Sequence, residues 1–332
     1  MWRSLLPGRG GGSLNAPRVD VVIPTRNRRS LVFDSIGDAL HQEGVEVRCI
    51  VVDDGSTDST AAAIEGEADP RVVLVSHPER RGVSASRNTG MLHSRAPWVA
   101  FLDDDDRWAP TKLSAQLAAL EAESGARWAA TGCVVTDATL HVTGAQALPG
   151  GGGEILVRLL IDCFIPAGGS SVLAARSLLD EAGAFDTQLG AVEDWDYWLR
   201  LARLSPIAYV HSPLVAYRRW PGNTSGNTAL MERYRNEFKL RYEAERGVDP
   251  MAAKQDLRWA QWMARSALQD GRRLEAARRY IQVAWASRSV GQLIYAAASI
   301  GVPTAAMRRL ATNDLGLEPE GWREDATLWL RS

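Results

Sequence analysis

The sequence predicts an α/β protein, a mostly parallel sheet flanked by helices and followed by an α-helical C-terminal extension. Three observations predict it. Apolar runs alternate with longer helical segments from Val19 to about Glu123, the spacing of strand–helix–strand units whose sheet is covered on both faces. Three of the runs end in polar clusters: Pro24-Thr25-Arg26-Asn27-Arg28, Asp53-Asp54-Gly55-Ser56, and Asp103 to Asp106. In open sheets of this kind ligands bind beyond the carboxyl ends of the strands. From about Thr228 the chain turns Arg- and Ala-rich, punctuated by Gly247, Gly271 and Pro303, with no repeat of fixed period.

Each element follows from local pattern. Val19 to Ile23 is a buried strand stopped by Pro24, and Ser30 caps a helix through about Gln42. Val45 to Val52 is the second strand, after which Thr57 or Asp58 caps an Ala-rich helix to about Glu67. Val72 to Val75, a helix from Val83 to about Ser94, a strand from Trp98 to Leu102 and a helix from Thr111 to Glu123 complete the alternation. Trp128 to Val135 is a further strand, and Gly150 to Gly153 a flexible link into a short helix ending near Asp162. Ser170 to Ala174 is strand-like and Arg176 to Ala182 helical. Glu193 opens a helix to about Leu204, its early acids suiting the positive end of the helix dipole. Val210 to Arg218 reads as an edge segment broken at Pro213. Met231 to Glu245, Met251 to Leu268, Leu274 to Ser287 and much of Ser289 to Arg309 are helical.

Composition sets the outer bounds. With 332 residues, 45% hydrophobic and 23% charged, the chain is an ordinary globular protein, large enough for two domains or one with an appendage. A formal net charge of −2 gives no reason to expect nucleic-acid binding. Cys49, Cys133 and Cys163 are odd in number and lack metal-ligand spacing, as reduced residues of a cytoplasmic protein would, with Cys49 and Cys133 in the core. Residues 1–18 read as a disordered leader, 19–227 as one sheet domain and 228–332 as a helical region. The longest uncharged stretch, Ser289 to Met307, is too polar to span a bilayer. Arg258, Arg265, Arg272, Arg273, Arg278 and Arg279 leave two readings open, a solvated helix face or a peripheral contact with the inner face of an anionic membrane.

The chemistry concentrates at Phe101-Leu102 and the four acids that follow. Four carboxylates in sequence repel one another unless a cation sits among them. A hard divalent ion held by one or two carboxylates, with its other positions open to a diphosphate, answers that problem. The plainer reading is a solvated acidic turn, which the strand placement and the second pair at Asp53-Asp54 disfavour.

Taken in order, five stretches resemble the family 2 glycosyltransferases of the GT-A fold. They are Val21 to Arg28, Val51 to Asp58, Arg81 to Gly90, Phe101 to Asp106, and Glu193-Asp194-Trp195-Asp196-Tyr197-Trp198-Leu199-Arg200. The resemblance covers roughly Val19 to Arg218 and implies inverting transfer of a sugar from a nucleoside diphosphate, helped by Mn2+ or Mg2+. It implies that Pro24 and Thr25 lie against the base, that Arg28 reaches base or diphosphate, and that Asp53 and Asp54 contact uracil or ribose. Arg87 would bond a phosphate or base carbonyl, or else pair with an acid of a neighbouring motif. Asp103-Asp104-Asp105 matches the Asp-x-Asp element, with Asp105 as metal ligand and Asp103 or Asp104 on ribose or ion; Asp106 and Asp58 are read as caps. Glu193-Asp194 matches the catalytic acidic pair, Asp194 as base and Glu193 orienting or binding the acceptor. Trp195 and Trp198 could stack on a sugar, but their i, i+3 spacing favours the core.

One departure stands out. Many relatives carry Tyr-Arg-x-His after the last strand, where this chain has Tyr217-Arg218-Arg219-Trp220. His211 is a nearby substitute, and Arg218 or Arg219 could neutralise the diphosphate instead. The implied partners are a nucleotide-sugar donor, a UDP-sugar by family frequency, and a glycan or lipid-linked acceptor in cell-surface polysaccharide synthesis. Two rivals stay in view. A nucleotidyltransferase should show a Gly-rich basic loop after the first strand, which is absent; an inactive nucleotide-sugar-binding module would tolerate the change at Trp220.

Overall fold

In the computed structural model, which describes residues 16–148, 155–220, 222–246, 250–269, 271–302 and 321–330, strand β1 (Arg18–Thr25) is buried from Val19 onward. That is the pattern of a central strand covered on both faces. Its side chains alternate between two cores. Val19, Val21 and Ile23 join Val51, Leu102 and Leu113 on one face, while Val22 joins Phe101, Trp128 and Trp198 on the other.

Strands β2 (Glu46–Asp53), β3 (Val72–Ser76) and β4 (Trp98–Phe101) pair in parallel in the order β3-β2-β1-β4. The connecting helices are α1 (Val32–Leu40), α2 (Thr60–Glu67) and α3 (Val83–His93). Beyond β4 the sheet continues through β8 (Val172–Ala175), β6 (Trp128–Thr136), β9 (Ile207–Arg218) and the two-residue β5 (Arg107–Trp108); β7 (Val142–Gln146) pairs with β6. The β4–β8, β6–β8, β6–β7 and β5–β9 ladders are antiparallel and β6–β9 is parallel. Helices α4 (Lys112–Ala122), α5 (Ile155–Ile161), α6 (Arg176–Ala182) and α7 (Glu193–Leu204) follow in sequence. Helix α3 presses close on β1, since a Cβ at Gly90 would meet Val22 Cγ1 at 2.2 Å.

Four local expectations need correction. Strand β1 runs through Pro24 to Thr25 and does not stop at the proline. Val22 O accepts from Leu102 N, and by alternation Pro24 faces that same side, past the last β4 pair, so its missing N–H costs the sheet nothing. Ser30 does not cap α1; the amides of Leu31 and Val32 both donate to Arg28 O instead. Strand β9 is not an edge, because β6 and β5 flank it. Pro213 is absorbed by register shifts against Thr131, Gly132 and Cys133, where Thr131 Oγ1 donates to Ser212 O at 2.7 Å. Strands β5 and β7 were not foreseen at all.

The C-terminal helices are α8 (Thr228–Arg241), α9 (Glu243–Arg246), α10 (Pro250–Gln269), α11 (Arg273–Ser287) and α12 (Val290–Gly301). The C-terminal region packs onto the sheet region at several places, two of them through aromatic rings. Phe238 of α8 stacks on Trp195 of α7 at 4.0 Å between centroids. Trp322, from the helix Trp322–Leu330, fills the space where Gly132 lacks a side chain, its ring 2.3 Å from a would-be Cβ. Part of the basic character of this region is consumed internally. Arg272 and Arg279 pair with Glu275, Arg279 also with Glu232, and Arg273 donates to the carbonyls of Ser299 and Val302. Residues 1–15 of the expected leader, the link at 150–153, Gly247, the side chain of Arg258 and the stretch from Pro303 to 309 lie outside the described residues. Among the described residues no helix is long and apolar enough to cross a membrane.

Candidate active site

The four acids after β4 are separated by their neighbours. Asp103 stays partly exposed and accepts from Arg87 Nη2 at 2.8 Å, while its own amide donates to Ser170 Oγ. Asp104 receives the Thr25 hydroxyl at 2.6 Å and Arg28 Nη1 at 2.5 Å. On Asp105 a single oxygen, Oδ2, gathers three donors: Arg28 Nη1 at 2.8 Å, Trp220 Nε1 at 2.8 Å and Asn223 Nδ2 at 3.2 Å. Asp106 is fully buried, receives Ser170 Oγ at 2.6 Å and the Arg218 amide at 3.1 Å, and so ties the end of β4 to the end of β9. Its part is structural, as a turn-holding acid.

Burial without full compensation raises the carboxyls of Asp104, Asp105 and Asp106. Asp104 is pushed up to about 7, burial outweighing the pull of Arg28. Asp105 is raised by the same cause, and Asp106 well above the usual range by burial and the charges of Asp105 and Asp103.

Arg87 joins the acid run to the helix that follows in sequence a hundred residues later. Its guanidinium is 3% exposed and donates to Asp103 through Nη2 and to Glu193 through Nη1, the latter at 2.7 Å. Gly169 permits this approach, because a Cβ there would stand 3.2 Å from Arg87 Nη2. Next to Glu193, Asp194 is the second residue of α7, with Val192 at the cap position. Its Oδ1 accepts from the Trp195 amide at 2.7 Å and its Oδ2 lies 2.7 Å from where a Gly168 Cβ would be. Burial, then the Glu193 charge, pushes Asp194 up to about 7, with Arg87 pulling the other way. Gly168→Ala therefore shifts Asp194, and its φ of +50° adds strain for any residue with a Cβ. A displacement of about 1 Å at a reacting group costs on the order of 10²-fold. If Asp194 is the reacting group, the variant should lose turnover to that extent, with circular dichroism near the parent's and stability lowered by only about 1–2 kcal/mol.

A cavity of about 1020 Å³ brings the predicted residues together: Pro24, Thr25, Arg28, Asp54, Arg87, Asp103, Asp104, Asp105, Glu193 and Asp194 all line it. Asp53 does not. It ends β2 with Oδ2 accepting from the Ser56 amide and a buried Oδ1 that has no partner among the described residues. Asp54 is held by His77 Nδ1 at 2.8 Å and by the amides of Arg81 and Gly82, which fixes the loop entering α3. Asp58 accepts from the Thr60 amide at the start of α2. Trp195 and Trp198 are core residues. His211 is exposed on β9 and absent from the cavity lining, so it is no substitute for the missing histidine. Arg218 is turned to Asp34, whereas Arg219 lines the cavity. Sequence reasoning missed Ser170, Gly168, His77 and Asn223, whose sites are made only when distant segments meet.

The sheet order, the acid run at the end of β4 and the acidic start of α7 together define a GT-A fold, which solved structures bear out. The chain superposes on the mannosyltransferase PcManGT from Pyrobaculum calidifontis, solved with GDP-Man and Mn2+, at a TM-score of 0.55 and 21% identity, over 99% of this chain and 88% of that one. It also matches S. aureus TarS 1–349 in complex with UDP at a TM-score of 0.50 and 17% identity, over 93% and 92% of the two chains. In sequence, residues 20–138 match the family model Glycosyl transferase family 2. The succinoglycan biosynthesis protein ExoO of Rhizobium meliloti (strain 1021) is 40% identical over 97 residues, 29% of this chain and 28% of ExoO. The Escherichia coli UDP-Glc:alpha-D-GlcNAc-diphosphoundecaprenol beta-1,3-glucosyltransferase WfaP is 30% identical over 105 residues, 32% of this chain and 42% of WfaP. The aligned stretches thus span less than half the length of these two relatives.

Proposed function

We propose that the chain is an inverting glycosyltransferase that moves a sugar from a nucleoside-diphosphate donor, a UDP-sugar, to a hydroxyl of a glycan or lipid-linked acceptor in cell-surface polysaccharide synthesis. The observation that carries the reading is Arg87, which bridges Asp103 of the acid run and Glu193 of α7 and so sets both acid groups on one cavity. Pro24, Thr25 and Asp54 line the end where the base and ribose lie, with Asp53 buried just behind. Arg28 and Arg80 on the same cavity offset diphosphate charge. Asp194 accepts the proton of the acceptor hydroxyl as its oxygen bonds to the anomeric carbon. The bond from that carbon to the diphosphate oxygen breaks on the opposite face, which inverts the centre. Glu193, fixed by Arg87, orients the acceptor.

A divalent cation fits here in a limited way. Among the described residues no three His, Cys, Asp or Glu side chains converge on one point, and the Trp220 indole N–H at Asp105 is a donor, not a ligand. Asp105 and Asp103 would hold Mg2+ or Mn2+ as one or two carboxylates, the remaining positions going to diphosphate and water. Such an ion supplies Lewis-acid stabilisation of the departing diphosphate. Asp105→Asn keeps a hydrogen-bonding side chain of similar shape but removes the charge, so manganese should no longer strengthen UDP binding in isothermal titration. UDP binding that still tightens with manganese would move the ion elsewhere.

The test of the whole reading is a panel of nucleotide-sugars read by thermal shift, with and without manganese. A ligand at about 100 times its Kd stabilises by about 2.7 kcal/mol. One nucleotide class should raise the melting temperature and the others should not; no shift with any member of the panel would overturn the proposal.

A further inference from the structure

The cavity that holds the acids extends onto the C-terminal helices, where Met231 of α8 and Trp259, Trp262 and Arg265 of α10 line it. The three α10 residues recur every third position and therefore share one side of the helix. The two indoles lie 5.0 Å apart between centroids, with their planes 35° apart. Trp259 is fixed by Arg235, whose guanidinium lies 4.7 Å from the ring centroid and is itself paired to Asp256 at 2.7 Å. The Trp259 Nε1 is buried and has no hydrogen-bond partner among the described residues, an arrangement that ordinarily costs stability. Arg219 is engaged with Ser266 Oγ at 2.9 Å. Arg265 lines the cavity with no hydrogen-bond or ionic partner among the described residues. Among the described residues, an unpaired guanidinium and an indole N–H without a partner thus stand together on the wall of the cavity.

We infer that this wall is an acceptor subsite for a saccharide bearing an anionic group. A pyranose lays its C–H face on the indole pair, where dispersion and the ring quadrupole favour it. Its carboxylate or phosphate takes the fork of Arg265. The inference rests on the donor reading above, with the nucleotide at the acid end and the acceptor entering from α10. Residues far from the family-type motifs would then set the acceptor class.

The experiment uses the full chain saturated with UDP and three probes, followed by isothermal titration. Hyaluronan tetrasaccharide carries uronates, glucose 1-phosphate carries a phosphate, and cellotetraose is neutral. At least one anionic probe should bind tenfold or more tightly than cellotetraose; which of the two does so tells uronate from phosphate as the anion. Arg265→Gln should erase that preference to within twofold, and Trp262→Ala should weaken the preferred probe about tenfold, with UDP affinity unchanged in both. Equal binding of neutral and anionic probes, no binding of any probe, or variants that bind as the parent does would overturn the subsite. Saccharide binding by a parent chain that fails to bind UDP would instead overturn the donor reading and leave this wall as a saccharide site.

Discussion

Asp194→Asn is expected to lower sugar transfer by about 10²–10⁴-fold, the usual worth of the general base proposed above, while UDP affinity stays within about twofold. The amide keeps the size of the side chain and the acceptor oxygen facing the Trp195 amide, but it cannot take a proton. Burial and Glu193 push Asp194 up to about 7, so the carboxylate form needed for catalysis is gained as pH rises through that value. The kcat/KM of the parent should climb with pH and level off above about 7, and the variant should keep at most the part of that limb that Asp104, raised to about 7 on the same cavity, supplies. Stability moves the opposite way. Below about 7 the folded chain holds a proton at Asp194 that the unfolded chain has already released, so this group's contribution falls as pH rises from the ordinary aspartate range to about 7. Asp194→Asn removes the penalty and should melt no lower than the parent at pH 8. A helix-capping acid would do the reverse and lose about 1 kcal/mol; Asp194 lies inside α7, past the cap position.

Arg87→Ala has the largest expected effect on stability. It strands the buried Glu193 carboxylate and leaves Asp103 without its cation. Breaking a buried pair by removing one partner costs about 3–5 kcal/mol, which urea denaturation would read as a lower midpoint. Arg87→Lys keeps the charge but cannot reach two carboxylates in a fixed fork, so it should recover part of the stability and little of the turnover. A variant as stable and active as the parent would reduce Arg87 to a bystander.

The first half of the sheet is legible in the sequence because β1, β2 and β4 are largely buried apolar runs that end in polar clusters, so β1 to β4 and their loops fall where alternation places them. Helices α6 and α7 begin and end as their patterns indicate. Strands β5 and β7 carry no such signal. The first is two residues long, and the second, Val142–Gln146, includes a glycine and a glutamine. Strand β9 was misread as an edge because Pro213 removes a ladder donor, and only the bulge against β6 makes it tolerable inside. Of the site, the motif residues lie at strand and helix ends, where spacing reports position. What holds them together is not local. Ser170 holds Asp103 and Asp106 from 67 and 64 residues further along the chain. Trp220 reaches Asp105 from the segment after β9. Trp259, Trp262 and Arg265 read as an ordinary helix face until α10 is set against the cavity.

The most direct test of the central claim, a single displacement with Asp194 as base, is the configuration of the sugar released when the full chain slowly hydrolyses its α-linked nucleotide-sugar donor. Proton NMR in the first minutes, before the sugar mutarotates, should show the β anomer in excess, with the Asp194→Asn chain releasing far less. Release of the α anomer would contradict the account.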